Sequence, residues 1–171
     1  MSNILNVIKS RRSIRKFQKK EIPEKILDEL IEALIWAPSA GNLQSRKFYF
    51  VFNEGVKEKL VEKAGVQSFI TQAPLVIVTC TNWKITHRYG KKGKQYSICD
   101  TAMSIQNIML QAHNLGLGSV PLGAFDKEEV SKILNLPEDL KPFLIVPVGY
   151  PAEKPSPPPR VSKREAVEFV T

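Results

Sequence analysis

Cysteine and histidine are scarce in this 171-residue sequence, which holds only Cys80, Cys99, His87 and His113. The cysteines have neither CxxC nor metal-ligand spacing, and a structural disulfide would be unusual in a reducing compartment. Both lie in apolar stretches, so both are expected to be buried, inert thiols. Two well-separated histidines without clustered carboxylates make a poor metal site, and no metal is expected. No apolar run approaches the ~20 residues of a membrane helix. Residues Met1 to Lys9 lack the apolar core and small-residue cleavage site of a secretory signal. These absences lead to the expectation of a cytoplasmic protein without a membrane partner. A GxxxxGK[ST] phosphate loop and a GxSxG nucleophile elbow are also missing. Gly116-Leu117-Gly118 comes after a helical pattern and is followed by Pro121. A dinucleotide fingerprint has the reverse context, following a strand and opening a helix.

Acidic residues are the minority, 17 against 25 Lys and Arg, for a formal charge of +8. A basic excess raises the question of nucleic acid. Here the basic residues are spread over the chain, commonly beside Glu, as in Lys57-Glu58-Lys59 and Glu62-Lys63. The aromatic–basic interleaving of a single-strand binder is absent. No nucleic-acid partner is expected, and the excess suits a protein that holds a phosphorylated cofactor.

With 43% hydrophobic and 25% charged residues, the composition is that of a globular protein. The length suits one domain, 1–171, with residues 155–171 as a C-terminal arm. Ile4, Leu5 and Ile8 mark a short first helix. Pro23 opens a second, in which Ile26, Leu27, Leu30, Ile31, Leu34 and Ile35 keep helical spacing. Pro38 stops it, and Pro38-Ser39-Ala40-Gly41-Asn42 reads as a loop. Phe48, Phe50 and Phe52 alternate in a strand with one deeply buried face. A short helix follows over Val56 to Lys63. Leu75-Val76-Ile77-Val78 is a central strand covered on both faces. Trp83 to Gln95, basic and aperiodic, reads as a mobile surface loop. Ile98, Thr101, Ala102, Ile105, Ile108, Met109, Ala112 and Leu115 give a largely buried helix that Gly116 ends. Asp126 and Glu129 have the spacing of a capping box opening a helix to Leu134. Phe143 to Gly149 is a further strand, with Pro147 placed at an edge or bulge. Four prolines in Pro155 to Pro159 make an extended linker. Helices are not regularly interposed between strands, so the expected class is α+β: a mostly antiparallel sheet flanked by helices.

The polar elements suit a planar, phosphorylated ligand. Arg11, Arg12, Ser13 and Arg15 put three guanidiniums and a hydroxyl within five residues, and guanidinium is shaped for bidentate phosphate binding. Asn42 and Gln44 carry amides that both donate and accept. Pro121-Leu122-Gly123-Ala124-Phe125 offers a bare glycine where a flat ring can approach the backbone. Arg160 is a lone cation beyond the proline linker. Asp100 and Asp126 have no partner that marks an acid–base pair.

In this order the elements resemble the nitroreductase family. Arg11 to Phe17 and Ala37 to Gln44 are similar to its opening signature, and Gln72-Ala73-Pro74 before an apolar strand to its next block. Tyr96 to Asp100, Gln106-Asn107, His113 and Gly116 to Gly118 resemble its central helix. Pro121 to Phe125 resembles its flavin-ring loop and Pro159-Arg160 its closing basic element, so the likeness spans nearly the whole chain. The resemblance implies a homodimer binding FMN in a cleft between subunits, with the C-terminal arm reaching the partner. It implies that Arg11, Ser13 and Arg160 hold the phosphate, with Arg12 and Arg15 along the ribityl chain or ring edge. Pro38, Ser39, Asn42 and Gln44 would line the flavin from the partner chain. In the Leu122, Gly123 and Ala124 loop, the Gly123 N–H would face flavin N5 and the Ala124 N–H a ring carbonyl. The implied activity is ping-pong transfer of two electrons from NADH or NADPH to a nitroaromatic, quinone or similar acceptor. FMN carries the chemistry, and no side chain is assigned as catalytic acid or base. A flavin enzyme with other chemistry, reductive dehalogenation or flavin destruction, is an alternative, as is a non-catalytic flavin or nucleic-acid binding module. The family often has Pro-Trp after the glutamine where this chain has Ser45-Arg46, which leaves the substrate pocket's shape and charge open.

Overall fold

In the computed structural model, which describes residues 3–170, the chain runs α1 (Ile4–Ser10), α2 (Glu24–Ile35), β1 (Arg46–Val51), α3 (Glu54–Glu62), β2 (Leu75–Asn82), α4 (Gly93–Asn114), β3 (Gly118–Ser119), α5 (Lys127–Ile133), β4 (Leu140–Gly149) and α6 (Lys163–Ala166). The strands form one sheet in the order β1-β2-β4-β3, with every ladder antiparallel. This is the α+β architecture expected from the patterning.

Strand β2 is central and buried over nearly its whole length. Successive side chains alternate faces. Leu75 and Ile77 enter a core with Leu30 and Leu34 of α2 and Ile105 and Ile108 of α4. Val76, Val78 and Cys80 enter a second core with Leu60 of α3, Ile70, Val130 of α5 and Ile145. Each fully buried Leu, Ile or Val contributes roughly 1.5–3 kcal/mol. The two cores fix α2 and α4 on one face of the sheet and α3 and α5 on the other.

Several expectations need correction. Pro147 lies in β4, an inner strand, opposite Val76. Ile145 exchanges both backbone bonds with Leu122, so Pro147, two residues on, faces the same side. There the neighbouring chain has left the ladder after Ser119. The missing N–H points at a gap rather than at an edge or bulge. Phe48 and Phe50 are half-buried and Phe52 is exposed, because β1 is an edge strand. Residues 83–92 are a turn and a 3-10 segment, and α4 begins at Gly93, earlier than the apolar periodicity indicates. Thr86 organises this stretch: its buried hydroxyl reaches Gly93 O at 2.8 Å and Trp83 O at 3.2 Å. Cys80 is buried, its thiol pushed up to about 12 by desolvation, whereas Cys99 is exposed on α4. Asp126 caps α5 through Glu128 N and Glu129 N, but Glu129 turns to Lys132 instead of closing the box. The reciprocal capping box is at Ser162 and Glu165.

The apolar residues of α4 are largely committed to its own chain's core. Exposed apolar surface lies on α1 and α2, where Ile4, Leu5, Ile8, Ile31, Ile35 and Trp36 are exposed, Trp36 by 78%. The arm after Pro155 adds Val161, Val167 and Phe169.

Candidate flavin site

The N-terminal basic segment is laid along the sheet edge. Ser13 bridges Ser119 in parallel, and the Ile14 N–H donates to Ser119 O at 3.2 Å. Gly118 makes this possible, since a Cβ there would sit 2.5 Å from Ile14 Cγ1. Arg11 is thereby half-buried, and its Nη1 is shut away from solvent with no acceptor among the described residues. Desolvation, then Arg12, then Arg160 lower its pKa, so the positive field of Arg160 reaches the N-terminal pair. Arg12 Nη1 donates to Lys9 O and Arg11 O at 2.7 and 2.8 Å. Arg15 turns its side chain to solvent, while its N–H and that of Lys16 donate to Glu153. A cleft of about 520 Å³ opens here between Arg12, His113, Glu153 and Lys154. No carboxylate forms an ion pair with these guanidiniums among the described residues. The corner's positive charge and its orphaned donor are of the kind that suits an anion.

His113 Nε2 lies 2.7 Å from Ser10 Oγ. Burial, Arg11 and Arg12 hold the imidazole below its ordinary 6.5. A depressed folded-state pKa means that the unfolded chain takes up the proton more readily. This contribution to stability is present above pH 6.5 and is lost as pH falls towards the folded value. His113→Gln should therefore flatten the fall of melting temperature between about pH 7 and pH 5. An unaltered slope would assign the acid sensitivity to other groups.

The loop after α2 is built in a different way. Gly41, Asn42 and Gln44 all have left-handed backbones, φ 56°, 54° and 51°. Gly41 adopts such a backbone freely, whereas at Asn42 and Gln44 it persists only where surroundings enforce it. Asp100, 1% exposed, accepts from Ala40 N at 2.8 Å and from Ser45 Oγ at 2.7 Å. Arg46 reaches the last carbonyls of α2 and the loop start: Ile35 O, Ala37 O and Pro38 O. Ser39 Oγ accepts from Gln44 N at 2.9 Å. Gly41 also lies against Tyr89 and Arg88, with which any added Cβ would collide. Ser45 and Arg46 are thus loop anchors. Asn42 and Gln44 keep their side chains exposed and unbonded within the described residues.

Asp100, Ser45 and Arg46 were missed as site-building residues. Their signal is in α4: Ser97, Asp100, Thr101 and Ser104 occupy buried i, i+3, i+4 positions where an ordinary core helix is apolar.

In the third element Leu122 is buried and paired to Ile145, while Gly123 and Ala124 are exposed. Among the described residues the N–H groups of Gly123 and Ala124 have no acceptor. They are two free donors on a fixed turn.

Within one chain these elements do not all meet. The Asp100 loop anchor and His113, beside Arg11, lie on the same helix, and residues 100 and 113 are separated by roughly 20 Å at 1.5 Å per residue. The Pro38–Gln44 loop and the Arg11, Arg12, Arg160 cluster stand at opposite ends of α4.

The fold is that of one enzyme family. The chain belongs to the nitroreductase family, whose model matches residues 8–150. It is 34% identical over 157 residues, 90% of this chain and 80% of the relative, to a Methanothermobacter thermautotrophicus protein provisionally named as an NADH dehydrogenase/NAD(P)H nitroreductase. It is 29% identical to the FMN reductase [NAD(P)H] of Bacillus subtilis, over 98% of this chain and 73% of that one. A solved nitroreductase family protein from Clostridium difficile superposes with a TM-score of 0.86 at 30% identity, covering 100% of this chain and 99% of the other.

Proposed function

We propose that this protein is an FMN-dependent oxidoreductase that takes hydride from NADH or NADPH and works as a homodimer. The observation that carries the reading is Arg11 Nη1, a buried guanidinium nitrogen without an acceptor, in a cluster with Arg12 and Arg160. A buried cation left unpaired is costly unless a ligand completes it. A phosphate fits, with Arg11 and Arg160 binding it and the Ser13 hydroxyl adding a donor. The free Gly123 and Ala124 N–H groups suit the electron-rich edge of a flavin ring, and their donation favours its reduced form. The exposed Asn42 and Gln44 amides suit the pyrimidine edge.

When bound, FMN supplies two-electron hydride chemistry, linking the nicotinamide to an electrophilic acceptor such as a nitroaromatic or quinone in alternating half-reactions. The chain's part is to bind, orient and tune. The separation of the loop from the arginine cluster supports a site made by two chains, the loop of one meeting the arginines of the other. The exposed apolar residues of α1 and α2, with Trp36 and Phe169, supply the surface that such a dimer needs. An obligate interface above ~2,000 Å² is expected.

The test is direct. Purified protein should be yellow, run at dimer mass, lose its visible absorbance on anaerobic addition of NAD(P)H, and regain it with a quinone. Truncation after Lys154 should reduce both dimerisation and FMN retention, because the arm leaves with Arg160. A colourless protein that takes up no FMN would sink the flavin reading. A yellow monomer would sink the two-chain site.

A further inference from the structure

Opposite the arginine corner, near the start of α4, lies a second cleft of about 580 Å³ that none of the flavin elements lines. Its walls combine aromatic and aliphatic surface from Trp83, Ile98, Pro142 and Phe143 with the cations Lys94, Lys127 and Lys141. Glu128 is the one carboxylate among the lining residues, so the lining residues carry three ammonium groups against a single negative charge. Trp83 is fixed in advance: its indole N–H donates to Thr81 Oγ1 at 3.0 Å, and that hydroxyl donates to Lys141 O at 3.3 Å. Lys94 Nζ stands 4.4 Å from the indole centroid. An aromatic wall held by its own hydrogen bond, in a cleft lined by three lysines, is preorganised for a flat ring that carries negative charge.

The cleft is linked to the flavin elements through the backbone that both share. Ile98 lies two residues before Asp100 on α4, half a turn round and so on the other side of the helix. Phe143 is next to Leu144, whose side chain is the nearest neighbour of Gly123. We propose that this cleft binds a planar aromatic anion, its ring against Trp83 and Phe143 and its charge among Lys94, Lys127 and Lys141. The ligand's role, though not its chemistry, rests on the proposed function. In an NAD(P)H-dependent enzyme such an anion is either the phosphorylated adenosine end of the hydride donor or an anionic aromatic acceptor.

The experiment uses FMN-loaded protein carrying Trp36→Phe, which leaves Trp83 as the sole tryptophan. Its emission is followed while adenosine 2′,5′-bisphosphate or 4-nitrobenzoate is titrated, with adenosine and nitrobenzene as neutral counterparts. At least one anion should saturate the signal, on the order of tenfold more tightly than its neutral counterpart and less tightly at high salt. Lys94→Gln, Lys127→Gln and Lys141→Gln together should weaken that binding by about tenfold while FMN content is retained. A response to the nucleotide alone assigns the cleft to the hydride donor, and one to nitrobenzoate alone assigns it to the acceptor. Saturation by neither anion, or equal affinity in the triple variant, overturns the proposal. Yellow protein that NAD(P)H bleaches, yet whose Trp83 stays silent, refutes the cleft and leaves the proposed function standing. Colourless protein that still binds the anion does the reverse.

Discussion

Arg11→Met is expected to weaken FMN binding by tenfold or more while leaving the FMN-free protein as stable as before, or more stable. The two effects have one cause. A hydrogen bond to a charged group contributes roughly 1.5–3 kcal/mol, and every ~1.4 kcal/mol is a factor of ten in affinity. Without the phosphate, Arg11 Nη1 is a buried donor facing no acceptor, and Arg12 and Arg160 add repulsion. Methionine keeps an unbranched apolar stem and removes the uncompensated charge. Arg160 is exposed, so Arg160→Ala should produce a similar loss of FMN affinity with little change in melting temperature. FMN titration followed by flavin fluorescence, paired with thermal melts with and without FMN, separates the two readouts. If both variants bind FMN like the parent, the phosphate assignment is wrong. If Arg11→Met melts markedly lower without ligand, Arg11 is structural.

Much of the fold was legible because burial imposes period. The run Leu75 to Val78 reads as a strand covered on both faces, and β2 is that strand. The repeat from Ile98 to Leu115 reads as a helix, and Gly116 ends it with φ 77° as expected of a C-terminal glycine. What failed to show were features decided by partners distant in sequence. The stretch after Trp83 has no periodicity, yet it folds through turn bonds centred on Thr86 and its hydroxyl. Pro147 is tolerated in an inner strand only because the facing chain leaves the ladder after Ser119. Cys99 looks buried in an apolar context, but the rotation of α4 turns it outward.

The candidate site was legible as a set of residues rather than as a place. Arginines, amides and a glycine turn point to a phosphorylated planar ligand without showing which chain supplies each. Composition also hid Asp100, since a lone aspartate on a helix resembles a solvated one until the loop that it serves is folded against it.

Asp100→Ala should be the most damaging single change to the flavin loop. The carboxylate holds the Ala40 N–H and the Ser45 hydroxyl from within a buried helix face, and Arg46 lies in its field. Its removal takes away two charge-assisted bonds and leaves buried donors unsatisfied, a loss of about 3–5 kcal/mol. For a chain of this size that corresponds to a fall of roughly 10 °C in melting temperature. The same carboxylate pins both ends of the segment that holds left-handed Gly41, Asn42 and Gln44, so without it the loop should relax and present its amides poorly. FMN affinity should fall along with stability. Asp100→Asn, which keeps one acceptor oxygen, should fall between parent and alanine variant in both measurements. Cys99→Ser, one residue away on the exposed side, should change neither. A variant Asp100→Ala that melts lower but binds FMN with parental affinity would show that Asp100 supports only the core, and that the loop finds its shape without it.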